Sequence, residues 1–153
     1  MLELPHTIIG ATIATKISNP LLSLPLVFLA HFITDFFPHW NSHIFTETQK
    51  TGKVSTRSKV LIMADTFLSL AFGLFFALKF WPDFGRAAII LFACFVATIP
   101  DTIEAPFYFL KSRNSVLVKY IKLHRKYQIH TSFGVGMTVQ MIVLLVTLWI
   151  LFT

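Results

Sequence analysis

The sequence predicts an all-α protein, an integral membrane helical bundle of four long spans with a short N-terminal helix and an interfacial amphipathic helix. Three observations predict it. Hydrophobic residues make up 55% of the chain and charged residues 13%, about half the charged fraction of a typical soluble domain. The apolar residues form continuous runs, whereas a membrane barrel alternates apolar and polar residues. Cys94 is the only cysteine, which excludes a disulfide scaffold.

Four apolar runs are each close to the roughly 20 residues that a membrane-spanning helix needs. They cover residues 20–38, 60–81, 86–110 and 132–152. At this length the spans form one transmembrane helical domain, residues 1–153.

Two further helices are predicted outside these runs. Residues 5–17 are apolar but too few for an upright span, which leaves a short tilted span, a re-entrant helix or an interfacial helix open. Residues 116–127 place apolar side chains at 116, 117, 120, 121 and 123, with most basic side chains elsewhere. That pattern indicates an amphipathic helix lying on the membrane surface.

The basic charge lies in two connections. Residues 39–59 hold four basic residues and one acidic residue, and residues 111–130 hold six basic residues and no acidic one. Two spans separate them, so both connections lie on one side, which the positive-inside rule makes the cytoplasm. We expect a multi-pass protein of the bacterial inner membrane. Its net charge of +6 then indicates binding to anionic lipids of the bilayer and not to nucleic acid. The oligomeric state stays open.

Four of the seven acidic residues lie inside apolar runs: Asp35, Asp65, Asp101 and Glu104. A carboxylate at the centre of a bilayer costs about 2.5–3.5 kcal/mol on insertion scales, so such residues mark functional sites. In the predicted topology all four lie in the cytoplasmic half of the membrane. This shared depth predicts a single cluster.

Histidines accompany these carboxylates at helical spacing. His31 and Asp35 are four residues apart and share a helix face, and His39 continues that stripe beyond Pro38. Asp101 and Glu104 are three residues apart, again on one face. Imidazole and carboxylate together are ligands for Zn²⁺ or Mn²⁺. The predicted ligands are His6, His31, Asp35, Asp101, His124 and His130.

Short motifs give the chain a family resemblance. They are Pro5-His6-Thr7 with Gly10, His31 with Asp35, Pro100-Asp101 with Glu104, and His124-Arg125 with His130-Thr131. In these motifs the chain resembles the LexA-regulated, membrane-bound metal-dependent hydrolases, a group similar to the zinc-dependent phospholipase C and nuclease superfamily. The motifs stand in a different order here. The resemblance implies a metal-dependent hydrolase.

The leading functional hypothesis is hydrolysis of a phosphoester, and a lipid phosphate suits a site in the cytoplasmic leaflet. Asp65 or Glu104 is expected to act as catalytic base or as a further ligand. Lys122, Arg125 and Lys126 would attract the anionic head group.

Two alternatives stay open at this stage. The buried acids would bind and release H⁺ or a cation in a small ion or proton transporter. In a structural membrane protein they would join helices without any chemistry.

Overall fold

The computed structural model describes residues 1–153 and consists of eight helices joined by short connections. The helices are α1 Glu3–Lys16, α2 Pro20–Asp35, α3 Ile44–Thr51, α4 Thr56–Leu78, α5 Phe84–Thr102, α6 Ala105–Phe109, α7 Ser115–Tyr127 and α8 Phe133–Phe152. The predicted all-α class is confirmed.

Three helices are long and apolar enough to cross a membrane: α4, α5 and α8. The prediction of four long spans is therefore wrong in its count. The first predicted span is the 16-residue helix α2, about 24 Å long at 1.5 Å per residue. It stops early because Pro38 disfavours helical geometry at Phe37.

The run at residues 86–110 is also interrupted. α5 ends at Thr102, and the five-residue helix α6 begins at Ala105, after two intervening residues. Pro106 explains this break, because a proline ring clashes with the carbonyl four residues before it in a continuous helix. The break turns Glu104 and Tyr108 toward the interior, where both are buried.

α1 is the central helix of the bundle, since it packs against α2, α4, α5 and α8. Small side chains allow this close packing. A Cβ on Gly10 would lie 2.9 Å from the carbonyl oxygen of Ala93 and 3.0 Å from the Cβ of Ala97 in α5. The predicted N-terminal helix is thus an internal element and not an interfacial one, which brings His6 into the core.

The two basic connections lie at the same end of the bundle. The His39 amide donates to the carbonyl of Ile129, and the Thr131 amide donates to the carbonyl of His39. At the opposite end, the Arg86 guanidinium donates to the carbonyl of Thr15. α1, α4 and α8 therefore start at the end where α2 and α5 finish.

α7 occupies nearly the range predicted for the amphipathic helix. Its inward side chains, Ile121 and His124, are buried. Ile121 packs in a small core with Val54, Phe107 and Tyr108, and this core fixes His124 against the ends of α2 and α5.

Candidate metal centre

Four histidine side chains surround the carboxylate of Asp35. Their Nε2 atoms lie close to its oxygens: His124 at 3.2 Å, His6 at 3.4 Å, His31 at 3.6 Å and His39 at 3.9 Å. All five side chains are at most 2% exposed. The histidines come from α1, α2, α7 and the connection after α2, so chain segments distant in sequence build the cluster.

The other ring nitrogen of each histidine is held by a separate partner. His31 Nδ1 donates to the carbonyl of Ala97 at 2.7 Å, and His39 Nδ1 donates to the carbonyl of Phe37 at 2.9 Å. His6 Nδ1 lies 3.2 Å from the Thr34 hydroxyl. Such partners fix the ring orientation and tautomer of metal-binding histidines. They leave Nε2 directed at the common centre.

His124 has the most polar partner of the four. Its Nδ1 donates to Glu104 Oε1 at 2.8 Å, and Glu104 Oε2 accepts from the Tyr108 hydroxyl at 2.9 Å. Burial by itself would lower the pKa of His124, but the carboxylates of Asp35 and Glu104 raise it to about 9. Glu104 is therefore placed to orient His124, in a carboxylate–histidine pair typical of metal sites.

Two of the converging nitrogens are buried without any hydrogen-bond partner, namely Nε2 of His31 and Nε2 of His39. An unpaired buried polar atom is costly, and a cation bound by these lone pairs removes the cost. Two groups of side chains offer ligand atoms that all lie within 4.8 Å of one another: His31, Asp35 and His124, and His6, His31 and Asp101. The residues present therefore fit a divalent metal.

Two further groups donate hydrogen bonds to Asp35. The α-amino group of Met1 contacts Oδ1 and lies 3.3 Å from His6 Nε2. Gln128 Nε2 donates to Oδ2 at 3.0 Å. A buried carboxylate needs such compensation, and the centre of the cluster accommodates a positive group.

Asp101 borders the cluster on its open side. Its Oδ1 lies 4.0 Å from His31 Nε2 and 3.9 Å from His124 Nδ1, and its side chain is 24% exposed. It is thus the carboxylate of the site that faces both the histidines and solvent.

Asp65 has a different environment. Its two carboxylate oxygens accept from the backbone amides of Glu3 at 2.6 Å and Leu4 at 3.1 Å. These amides belong to the first turn of α1, where free N–H groups favour a negative partner. The structure therefore places Asp65 as an anchor for α1, beside the histidine cluster.

His130 lies next to the cluster and not within it. Its ring centroid is 5.3 Å from that of His39 and 5.7 Å from that of His43, and both of its nitrogens lack a hydrogen-bond partner. Burial, together with the nearby positive charge of Arg125, lowers the pKa of His130 to about 4. It stays neutral at physiological pH.

The three cations predicted to attract a head group separate in space. Arg125 lines the large cavity beside the site, with its guanidinium 4.1 Å from the centroid of the Phe45 ring. Lys122 and Lys126 are exposed on α7 and do not line that cavity.

The large cavity has a volume of about 870 Å³ and adjoins the cluster. Asp101, Glu104, Arg125, Arg57 and Gln128 form its polar end. Apolar side chains of α4 and α8 form much of its walls. The site therefore opens onto a cavity that has polar side chains near the site and mainly apolar side chains along α4 and α8.

Three residues of the site were absent from the predicted set: His39, Gln128 and Tyr108. The four-residue spacing from Asp35 to His39 is a signal in the sequence, but Pro38 ends the helix between them. No pattern pointed to Gln128 or Tyr108, since the positions of α6, which carries Tyr108, and of the end of α7, which Gln128 follows, are set by tertiary packing.

Comparisons with protein-family models, with curated proteins and with solved structures found no match to this chain. The fold and the site define its class: an all-helical protein with three helices able to cross a membrane and a buried histidine–carboxylate cluster at one end of the bundle.

Proposed function

We propose that this protein is a membrane-embedded, metal-dependent hydrolase that cleaves a phosphoester, with a lipid phosphate as its substrate class. One observation carries the proposal: four buried imidazole Nε2 atoms converge on the single carboxylate of Asp35. His6, His31, Asp35 and His124 would hold the ion, with Asp101 on its open side. A divalent ion bound there would lower the pKa of a water molecule and offset phosphate charge.

The chain's own residues supply the remaining functions. Glu104 orients His124 through the bond to Nδ1. Both oxygens of Glu104 are engaged, so we assign the role of general base to Asp101, whose carboxylate is free and faces the cavity. Arg125 provides a positive charge for the phosphate at the same end of the cavity.

We place the site in the cytoplasmic leaflet of a bacterial inner membrane. The basic connections lie at the same end of the bundle as the cluster, and the positive-inside rule assigns that end to the cytoplasm. A lipid substrate would then reach the site without leaving the bilayer. The resemblance of the His31/Asp35 and His124 motifs to membrane-bound metal-dependent hydrolases agrees with this proposal.

The experiment is elemental analysis of gently purified protein, followed by phosphate release from vesicles. We expect about one Zn or Mn ion per chain, lost in the double variant His31→Ala/Asp35→Ala. We also expect Asp101→Asn to lower phosphate release at least tenfold, while His43→Ala, beside the cluster, retains it. A wild-type protein without metal would contradict the proposal, and full activity in Asp101→Asn would contradict the role of Asp101.

A second candidate is a small ion transporter, which one observation favours. A smaller cavity of about 140 Å³ lies between α1, α4 and α5, and Glu3, Thr66 and Thr102 line both cavities. Through this smaller cavity, polar side chains continue past the site toward the middle of the bundle. Beyond it, the main apolar core closes the bundle with residues such as Phe76 and Ile90. A one-sided site favours the hydrolase, and cation flux into vesicles tests the alternative.

A further inference from the structure

The apolar part of the large cavity is a groove between two membrane-spanning helices. We name it the α4/α8 groove and define it by six of its lining residues: Leu61, Ile62, Leu68, Met137, Met141 and Leu144. On α8 these residues follow one another at four and three positions, and on α4 Leu61 and Leu68 are seven positions apart, with Ile62 beside Leu61. Each helix therefore turns one apolar face toward the groove.

Two polar residues along the groove, Asp65 and Gln140, are satisfied by the protein, whereas Glu3 Oε2, which also lines the cavity, has no hydrogen-bond partner. Asp65 accepts from the first amides of α1. Gln140 accepts from the Leu2 amide at 2.8 Å and donates to the carbonyl of Trp40 at 3.0 Å. Asp65 and Gln140 therefore offer little to a polar ligand, and the six apolar groove residues favour an occupant that is apolar between α4 and α8.

The depth of the groove matches one leaflet. Its lining runs from Arg57 to Leu68 on α4 and from Phe133 to Leu144 on α8. Each stretch advances eleven residues, about 16 Å at 1.5 Å per residue. Half of a hydrocarbon core of about 30 Å is about 15 Å. Both helices begin at the site end, so the groove descends from the metal centre toward the bilayer midplane.

From this geometry we infer that the α4/α8 groove holds an acyl chain of a lipid whose phosphate group lies against Arg125 and the histidine cluster. This inference rests on the proposed function and deepens it, because it assigns the binding site of the lipid tail. The distribution of polar residues sets the orientation: Arg57 and Arg125, together with Asp101 and Glu104, border the site end of the cavity, and the walls formed by α4 and α8 are mainly apolar. Met137 and Met141 supply flexible side chains that adapt to an alkyl chain.

The inference makes Met141 a specificity-determining residue for lipid substrates. Met141 is 50% exposed and lines the groove, whereas its neighbour Ile142 is 55% exposed and does not line it. Met141→Trp fills the tail path, and Ile142→Trp places the same ring on the outer surface of α8. The two variants therefore differ in groove occupancy and not in size or exposure.

The test uses the full chain in phosphatidylcholine vesicles that contain phosphatidic acid with a diazirine near the end of one acyl chain. Photolabelling is mapped by mass spectrometry. Hydrolysis of phosphatidic acid is compared with hydrolysis of water-soluble p-nitrophenyl phosphate. For Met141→Trp we expect labelling of the groove peptides to fall at least fivefold and lipid hydrolysis at least tenfold, with soluble-substrate hydrolysis within twofold. Ile142→Trp should leave all three within twofold.

Equal labelling in Met141→Trp and the wild type would overturn the groove assignment. If Met141→Trp loses metal and fails to fold, Leu61→Trp on the opposite wall decides by the same criteria. If the metal-loaded wild type hydrolyses neither substrate, the proposed function fails, and the labelling pattern still decides whether the groove binds an acyl chain.

Discussion

The contact between α8 and the connection that carries His39 gives the most direct test of how the site is built. Gly136 in α8 packs against this connection. A Cβ at position 136 would lie 2.7 Å from the carbonyl carbon of His39 and 2.7 Å from the Cβ of Trp40, and closer still to the Trp40 backbone nitrogen. Gly134, half a turn away, has no atom within 4 Å of the equivalent position. The pair Gly136→Ala and Gly134→Ala thus separates steric from helical effects.

The expected magnitude follows from these distances. Ordinary contact begins at 3.4 Å, so the two contacts at 2.7 Å alone require the His39–Trp40 backbone to retreat by at least about 0.7 Å, more than the roughly 0.5 Å that a preorganised site tolerates. Alanine favours the helix equally in both variants, by about 0.5–1 kcal/mol, and this gain cancels in the comparison. The overpacking cost of about 1–3 kcal/mol remains. It corresponds to a melting temperature roughly 2–12 °C lower for Gly136→Ala than for Gly134→Ala.

Thermal unfolding of the two variants in detergent measures this difference, and competition with a chelator measures metal affinity. We expect Gly134→Ala to match or exceed the wild type in stability and to retain wild-type affinity. We expect Gly136→Ala to lose both stability and affinity. Identical melting temperatures for the two variants would refute the reasoning, because only the contact with His39 and Trp40 distinguishes them.

Three further predictions concern the charges of the site. In metal-free protein, Glu104→Gln should lower the pKa of His124 from about 9, since a negative neighbour is lost. NMR titration measures this pKa, and Glu47→Gln in α3 should leave it unchanged. Arg125→Gln should weaken lipid-phosphate binding about 10- to 150-fold, for a charged hydrogen bond of about 1.5–3 kcal/mol, whereas equal effects from Lys122→Gln would contradict the cavity assignment. Chelation should lower the melting temperature, and a metal concentration of 100 times the Kd should restore about 2.7 kcal/mol of the free energy of unfolding. A melting temperature that chelation leaves unchanged would indicate no bound ion.

Much of the site could be predicted from the sequence because burying charge in an apolar helix is expensive. That principle singled out Asp35, Asp101 and Glu104, and the structure brings all three to the cluster or its edge. The same principle does not distinguish a ligand from an anchor. Asp65 carries the same signal as Asp101, yet its oxygens hold the first amides of α1.

The count of spans shows a different limit. Apolar composition continues through Pro38 and Pro106, so hydropathy joins segments that the backbone cannot join. Proline geometry ends α2 at Asp35 and separates α5 from α6. The first break creates the connection that carries His39 into the site, and the second separates the short helix α6, which carries Tyr108.

The sequence by itself determined the helical class, the membrane-compatible composition and the set of costly polar side chains, because these follow from residue type and from spacing within one helix. Only the tertiary structure decided which of those side chains meet. α1 lies at the centre of the bundle because Gly10 permits close contact with α5. The pairing of His39 with Ile129 and Thr131 brings two distant connections together. Such contacts depend on backbone approach between segments, which no local pattern encodes.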